Sequence, residues 1–399
     1  MVRTPKNIRR RARFLVELAK ALHGAGLSAH RMEAVLEGAC RPLGVEGRFF
    51  ATPTAVLVQV DGEIELLRTA PSEVCLERIV ELDLIARDLG AGRLGARAAL
   101  RRLHAVLAAP ARWSVGAVVG AFGMTSATSS VLFGGVLEEV VASGLLGTIV
   151  GALAAISGRS PHISRLFPMA AAAMVATAAR GLAVFAPLRP EIVVLASLIV
   201  LLPGFSLTIA LAELATGHLA SGTARAMGAG MSLLQLTVGT ALGFSLGAHA
   251  GQTTAVDVVA LASWVTPLAV AACAAALVVL FRAHPSRLPV VVAVCFLAFF
   301  GTGYAAELVG TELGPFLGSF MVALGSNLYA RWRRVPASVP LMPGLLMLVP
   351  GSVGFRAARA LADRQVLDGV DIAFQTCLIA AALVSGILAA NALVNPRSV

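Results

Sequence analysis

From Trp113 to the C-terminus the chain is a succession of apolar stretches, each about the 20 residues a helix needs to cross a bilayer. Inside lipid every backbone amide and carbonyl must be satisfied within its own segment, so such stretches can only be helices or a closed barrel. Their length favours helices. The hydropathy pattern predicts spans at 113–133, 136–156, 163–185, 191–215 and 226–248, the first two being open to a re-entrant alternative. Beyond a polar loop at Gln252–Thr254 it predicts 257–281, 288–308, 313–330, 337–356 and 370–393. That is ten spans in two sets of five.

The first 112 residues are different. They hold 18 of the 32 Lys and Arg and 12 of the 22 Asp and Glu, in a chain that is only 14% charged where a soluble one carries about 25%. A water-soluble module therefore precedes a membrane body, and the expected division is 1–112, 113–250 and 251–399. Helix spacing of Phe14, Leu15, Leu18 and Leu22 predicts a helix over 8–23, and Ser28 is placed to cap a second one ending near Leu43. Phe49–Val60 is rich in strand formers, and Asp61-Gly62 predicts a hairpin turn into Glu63–Arg68. Amphipathic helices over 72–89 and 93–108 complete a small α/β domain that Pro110 closes. The fold class is thus an α-helical polytopic membrane protein with a soluble α/β domain in front.

The net charge of +10 does not imply nucleic acid, because its distribution follows the membrane. Arg3, Lys6, Arg9, Arg10, Arg11 and Arg13 form a cytoplasmic retention cluster, and Glu17, Lys20 and His23 interrupt any signal-peptide core behind it. With the module inside, the inward loops hold Arg159, Arg165, Arg225, Arg282, Arg287, Arg331, Arg333 and Arg334, and the outward loops at 249–256 and 309–312 hold no Lys or Arg. Arg180, Arg189, Arg356, Arg359 and Arg364 fall on the opposite side, so the orientation with both termini inside rests on the majority. The five cysteines are scattered, with neither metal-ligand nor disulfide spacing.

Within the spans, Leu201-Leu202-Pro203-Gly204 and Leu348-Val349-Pro350-Gly351 each set a Pro-Gly pair in an apolar run, 147 residues apart. Proline removes a backbone donor and glycine loosens the helix, so both runs are expected to interrupt it. The same shift pairs Gly222 with Gly369 and Gly239 with Gly386, and gives ten identities between 201 and 239 where about four would arise by chance. An odd number of spans per repeat inverts one half against the other, the arrangement of many secondary transporters. Interrupted helices at matching places point to a binding site, here Pro203, Gly204, Pro350 and Gly351, with Ser206, Thr208 and Ser352 as nearby hydroxyls. A third pair, Pro343-Gly344, lies close to the second run. A kinked structural helix is the plain alternative for any one of these runs.

Carboxylates at membrane depth are costly and mark function or proton movement, which singles out Glu138, Glu139, Glu213 and Glu307. Glu213 lies near the inner interface and Glu138 and Glu139 near an outer turn, where solvated or structural roles are also open. In the module, His23, Ser28 and His30, with Asp83 or Glu33, could nominally form a hydrolase set, but no nucleophile elbow or zinc motif accompanies them. A regulatory or gating role for the module is the simpler expectation. No nucleotide, dinucleotide or haem motif is present, so no cofactor is expected and ion-coupled secondary transport is the energetic default.

The run Leu22–Glu33 (LHGAGLSAHRME) and Phe50-Ala51-Thr52-Pro53-Thr54 resemble the N-terminal domain of the threonine/serine exporter family. Leu201–Thr208 with Ser221–Arg225, and Leu345–Ser352, are similar to that family's two membrane halves. The resemblance implies a ten-span bacterial inner-membrane protein with a cytoplasmic N-terminal domain, exporting threonine and serine with the proton-motive force. It leaves open a succinate-like dicarboxylate, for which Arg180, Arg225 and Arg356 would be the cationic candidates, and less readily a membrane-anchored hydrolase. The partners implied are a small amino acid, protons and the bilayer, with self-association possible.

Overall fold

A computed structural model describes residues 5–69, 73–158, 160–248, 261–310, 313–348 and 351–396. The N-terminal pattern folds as α1 (Pro5–Gly24) and α2 (Ala29–Leu43), followed by β1 (Gly47–Thr52), β2 (Ala55–Val60) and β3 (Glu63–Arg68). The strands form an antiparallel sheet in the order β1-β2-β3. The strand-rich run at 49–60 is split at Pro53-Thr54, because proline cannot donate to the ladder and the chain turns there instead. Asp61-Gly62 makes the second hairpin turn as expected, with both residues at positive φ. Helices α3 (Leu76–Gly90) and α4 (Ala96–Ala108) cover the module, whose core is built on Phe14, Leu15, Leu18, Leu22, Met32 and Leu36.

The membrane body follows as α5 (Val115–Leu132), α6 (Leu137–Ser157), α7 (Pro161–Phe185), α8 (Pro190–Ser197), α9 (Gly204–Ala215) and α10 (Leu219–Gly247). Then come α11 (Val265–Leu280), α12 (Leu288–Phe296), α13 (Thr302–Val309), α14 (Gly314–Arg333), α15 (Ser338–Leu348), α16 (Gly351–Ala362) and α17 (Val366–Leu393). One π-helical turn, Leu297–Gly301, joins α12 to α13. Among the described residues seven helical runs are long and apolar enough to cross a membrane, taking α15 with α16 and α12 with α13, and α9 and α11 are shorter apolar helices. The span expected at 191–215 is divided into α8 and α9, and α14 ends in Arg331 and Arg333. The loop expected at Gln252–Thr254 and the inward Arg159 lie outside the described residues.

Large apolar side chains stay exposed along the spans, as on α10, where Met227, Met231, Leu234, Val238 and Leu242 repeat at helix spacing. That is a surface for lipid tails. Small residues let the helices approach on their inner faces. A β-carbon on Gly239 would overlap the Met169 carbonyl and meet Ala172 of α7, and one on Gly386 would overlap the Phe316 carbonyl and Ser319 of α14. The Pro343-Gly344 pair does not interrupt its helix: both residues lie inside α15. Gly344 serves close packing there, since a β-carbon would run into Val294 of α12 and meet Val322 of α14.

Packing partners recur in the two halves. Helix α8 packs on α5, α6 and α7, and α15 on α11, α12 and α14; α7 packs on α10, and α14 on α17; α9 packs on α10, and α16 on α17. Between the halves, α10 meets α16, α9 meets α17 and α16, and α5 meets α11.

Candidate functional site

Helix α8 stops at Ser197 and the chain turns through residues 198–203 before α9 restarts at Gly204. The turn keeps part of its hydrogen bonding, with the Leu201 amide donating to the Leu198 carbonyl at 2.8 Å. Pro203 has no N–H to continue the ladder, and its own carbonyl accepts from the Leu207 amide at 2.9 Å. Opposite this turn stands the first residue of α16. A β-carbon on Gly351 would lie 3.1 Å from the Gly204 Cα, 3.2 Å from its nitrogen and 3.4 Å from the Leu202 Cβ. The two Pro-Gly runs are therefore brought together in space, although Pro350 itself lies outside the described residues.

The hydroxyls divide. Thr208 is buried and donates back to the Gly204 carbonyl at 3.2 Å, so it serves its own helix. Ser206 and Ser352 are half-buried beside the contact. Other hydroxyls, not singled out from the sequence, lie on the neighbouring α5: Ser126 donates to the Ser197 carbonyl at 3.4 Å. The Oγ atoms of Thr125 and Ser197 are buried without a hydrogen-bond partner among the described residues. The signal was present as Thr125-Ser126-Ala127-Thr128-Ser129-Ser130, five hydroxyls in six positions of an apolar span.

The four carboxylates take different positions. Glu139 is fully buried and accepts from the Arg189 amide, Nε and Nη2 at 2.7–2.8 Å and from the Val136 amide at 2.9 Å. It thereby caps α6 and ties it to the turn before α8. Glu138, next to it, is exposed, and so is Glu307 on α13. Glu213, in the last turn of α9, is fully buried and accepts from four donors. They are the Ala29 amide at 3.0 Å, Ser221 Oγ at 2.8 Å, and Arg225 Nε and Nη2 at 3.2 and 3.3 Å. Ala29 opens α2 in the N-terminal module, so this carboxylate joins that module to the apolar helices. Ser28 occupies the N-cap position of α2, but its side chain makes no cap hydrogen bond.

Around Glu213 the module contributes further groups. Glu33 accepts from the Ala51 amide at 2.8 Å and pairs with His218 Nε2 at 3.2 Å, and the His30 and His218 rings lie 5.9 Å apart. Burial pulls His30 down to about 4, with Arg31 beside it adding to the effect. Burial pushes Asp83 up to about 6 even though it is ion-paired with Arg87. His23 Nε2 lies 3.2 Å from the Thr52 carbonyl and from Thr69 Oγ1. Ser28 and His30 are not hydrogen-bonded to each other among the described residues, and Glu33 is engaged by Ala51 and His218.

Of the arginines considered for a dicarboxylate, Arg225 is committed to Glu213, Arg356 is exposed, and Arg180 packs its stem against Gly247. Among the described residues no three His, Cys, Asp or Glu side chains are grouped to hold a metal, and all five cysteines are free thiols.

Known proteins are similar in sequence over most of the chain. Pheromone-regulated membrane protein 10 of Eremothecium gossypii is 24% identical over 362 residues, 87% of this chain and 49% of its own length. The protein of that name in Candida albicans is 25% identical over 373 residues, covering 88% and 33%, and that of Saccharomyces cerevisiae 26% over 365, covering 87% and 47%. The chain thus spans a third to a half of the length of these relatives. No solved structure matches it. Residues 13–247 match a family described as putative threonine/serine exporter, and residues 264–393 match one described as threonine/serine exporter. The chain belongs to the threonine/serine exporter family.

Proposed function

We propose that the protein is a secondary active exporter of small polar amino acids, threonine and serine foremost, working by alternating access of two inverted five-helix repeats. The observation that carries this reading is the apposition of Gly204 and Gly351 at equivalent positions of the two halves. Equivalent contacts support it: Gly222 meets Leu214 where Gly369 meets Leu361, and Gly239 meets Met169 and Ala172 where Gly386 meets Phe316 and Ser319. Every one of these pairs is related by the same 147-residue shift. The contacts between halves support it too, α10 on α16 answering α9 on α17.

Direction supports inversion. Helix α9 ends at the module through Glu213, whereas α15 begins beside α3 of the module. At the far side the end of α16 meets the start of α8, Arg359 lying 3.8 Å from Glu191. Ten crossings follow in this reading, with α8–α9 and α15–α16 each counted once. The module and both termini are cytoplasmic, in a bacterial inner membrane. Arg189 and Arg359, which stand against the charge rule, are paired with Glu139 and with Glu191 and Asp363.

Substrate binds where the turn ending at Pro203, with Gly204 and Ser206 at the start of α9, meets Gly351 and Ser352, Thr208 bracing the helix start and Pro350 in the matching run. Freed backbone groups and helix ends suit the charged ends of a zwitterion. Protons are the coupling ion. Glu213 is the preferred carrier over Glu138, Glu139 and Glu307, because it alone of the four rides on a helix that starts at the Pro203-Gly204 turn. The deciding experiment is efflux of preloaded labelled threonine, serine and succinate from proteoliposomes, with and without a pH gradient. Replacing Gly204 or Gly351 by Leu is expected to abolish threonine efflux while protein stays in the membrane; undiminished efflux rejects the site.

A further inference from the structure

The module is attached to the two halves of the membrane body by chemically different contacts. Toward the second half the attachment is mainly apolar, with an exposed ion pair, Arg282 to Glu73 at 3.2 Å. The core of the module continues without interruption into a cluster whose other buried members include Val270, Cys273, Leu277, Phe281, Val291 and Met342, with their neighbours on the same segments. All of these belong to α11, α12, α15 or the α11–α12 link. Backbone bonds reinforce it: the first amides of α3, Leu76 and Glu77, donate to the Phe281 and Arg282 carbonyls at 2.9 and 3.3 Å. Arg87 donates to the Arg334 carbonyl at 2.7 Å, beyond the end of α14.

Toward the first half the attachment is polar. Ala29 donates to Glu213, Glu33 pairs with His218, and the His30 ring lies against that of His218. Arg225 and Ser221 hold Glu213 from the α10 side, and His23, Arg31 and, beyond Arg31, Asp83 are further charged or titratable groups of the module near this junction. Apolar burial is not given up without exposing the cluster to water, whereas hydrogen bonds and ion pairs can be exchanged for water at small net change. The polar side is the one that can let go.

We infer that the N-terminal module is a latch: it moves as part of the second half and releases the first half at Glu213 and His218 for the transporter to change state. What it grips is the end of a lever. Helix α9 is a single rod from Gly204 to Ala215, and Glu213 is about 14 Å along it from Gly204. Fixing Glu213 to α2 therefore fixes Gly204 against Gly351, and releasing it lets the turn move. The Phe205 ring, next to Gly204, lies 5.9 Å from that of Phe281 in the cluster the module shares with the second half.

This inference rests on the export reading, and one preparation tests both. Glu33→Cys and His218→Cys are introduced together with Cys377→Ser in the full chain, which is reconstituted and joined by a short, reductively cleavable bifunctional thiol reagent. Threonine counterflow is expected to fall at least tenfold on linking and to return on cleavage. Counterflow equal before and after linking overturns the latch. If the unlinked protein moves no threonine, the export reading fails, and the latch is then judged by hydrogen exchange. Linking is expected to slow exchange of the amides at 201–207 about tenfold; an unchanged rate there overturns it.

Discussion

Gly204 and Gly351 face each other so closely that a β-carbon on Gly351 would stand 3.1 Å from the Gly204 Cα. Such a contact can be relieved by a shift of a few tenths of an ångström, so Gly351→Ala is expected to fold. It is also expected to hold the two runs apart and to slow threonine efflux several-fold. The control lies one turn on: a β-carbon on Gly354 would meet only side chains, at 3.4 Å or more. Efflux through Gly354→Ala should be close to that of the parent. Equal rates for all three proteins would show that the contact is structural and not part of the moving site.

Symmetry makes a second prediction about stability. Gly239 and Gly386 each abut a backbone carbonyl of the parallel neighbour helix, Met169 and Phe316 respectively. Backbone cannot retreat as a side-chain end can. Alanine at either position should therefore cost about 1–3 kcal/mol by overpacking, whereas Gly228→Ala, with nothing within 4 Å, should not. Thermal melts in detergent check this. A large loss at Gly239 with none at Gly386 would count against equivalent roles.

What the sequence disclosed was what local chemistry decides. Asp61-Gly62 and Pro203-Gly204 act on their own backbone, and both turn where they were expected to. Pro53 divided a run that strand propensity alone had joined. Pro343, equally a helix breaker on local grounds, stayed within α15, where its neighbour Gly344 packs against Val294 and Val322. The junction was not legible at all. Ala29 and Glu213 are 184 residues apart, and no periodicity predicts that an amide at the start of α2 will find a carboxylate at the end of α9. Nor did spacing reveal that Glu139 answers Arg189 across 50 residues. Isolated acids in apolar runs look alike in sequence, and only their donors separate a helix cap from an exposed residue such as Glu138.

Glu139 supplies a third prediction. A fully buried carboxylate with an arginine fork and two backbone amides on it leaves those donors stranded when it is removed. Glu139→Ala should lower stability by about 3 kcal/mol, the usual cost of breaking such a pair from one side. Glu138→Ala should change it little. If Glu139→Ala melts with the parent protein but loses proton-driven efflux, the residue is a carrier and not a cap.

The last prediction concerns pH, and its sign follows from two groups of the module that oppose each other. Burial lowers His30 from its ordinary 6.5 to about 4, so between those values the unfolded chain binds a proton that the folded one refuses. Stability from this source is present above pH 6.5 and is lost as pH falls toward 4, by about 3 kcal/mol at most. Asp83 is raised from 3.8 to about 6, so over that interval the folded chain holds the proton and stability falls as pH rises. The two slopes partly cancel in the parent protein. Removing one should expose the other: His30→Gln should lose its acid sensitivity and become more stable at pH 5 than at pH 7. Asp83→Asn should instead destabilise more steeply than the parent between pH 6.5 and 4. Melting temperatures of the full chain across pH 4–8 decide it, and parallel profiles for all three proteins would show that neither group titrates on unfolding.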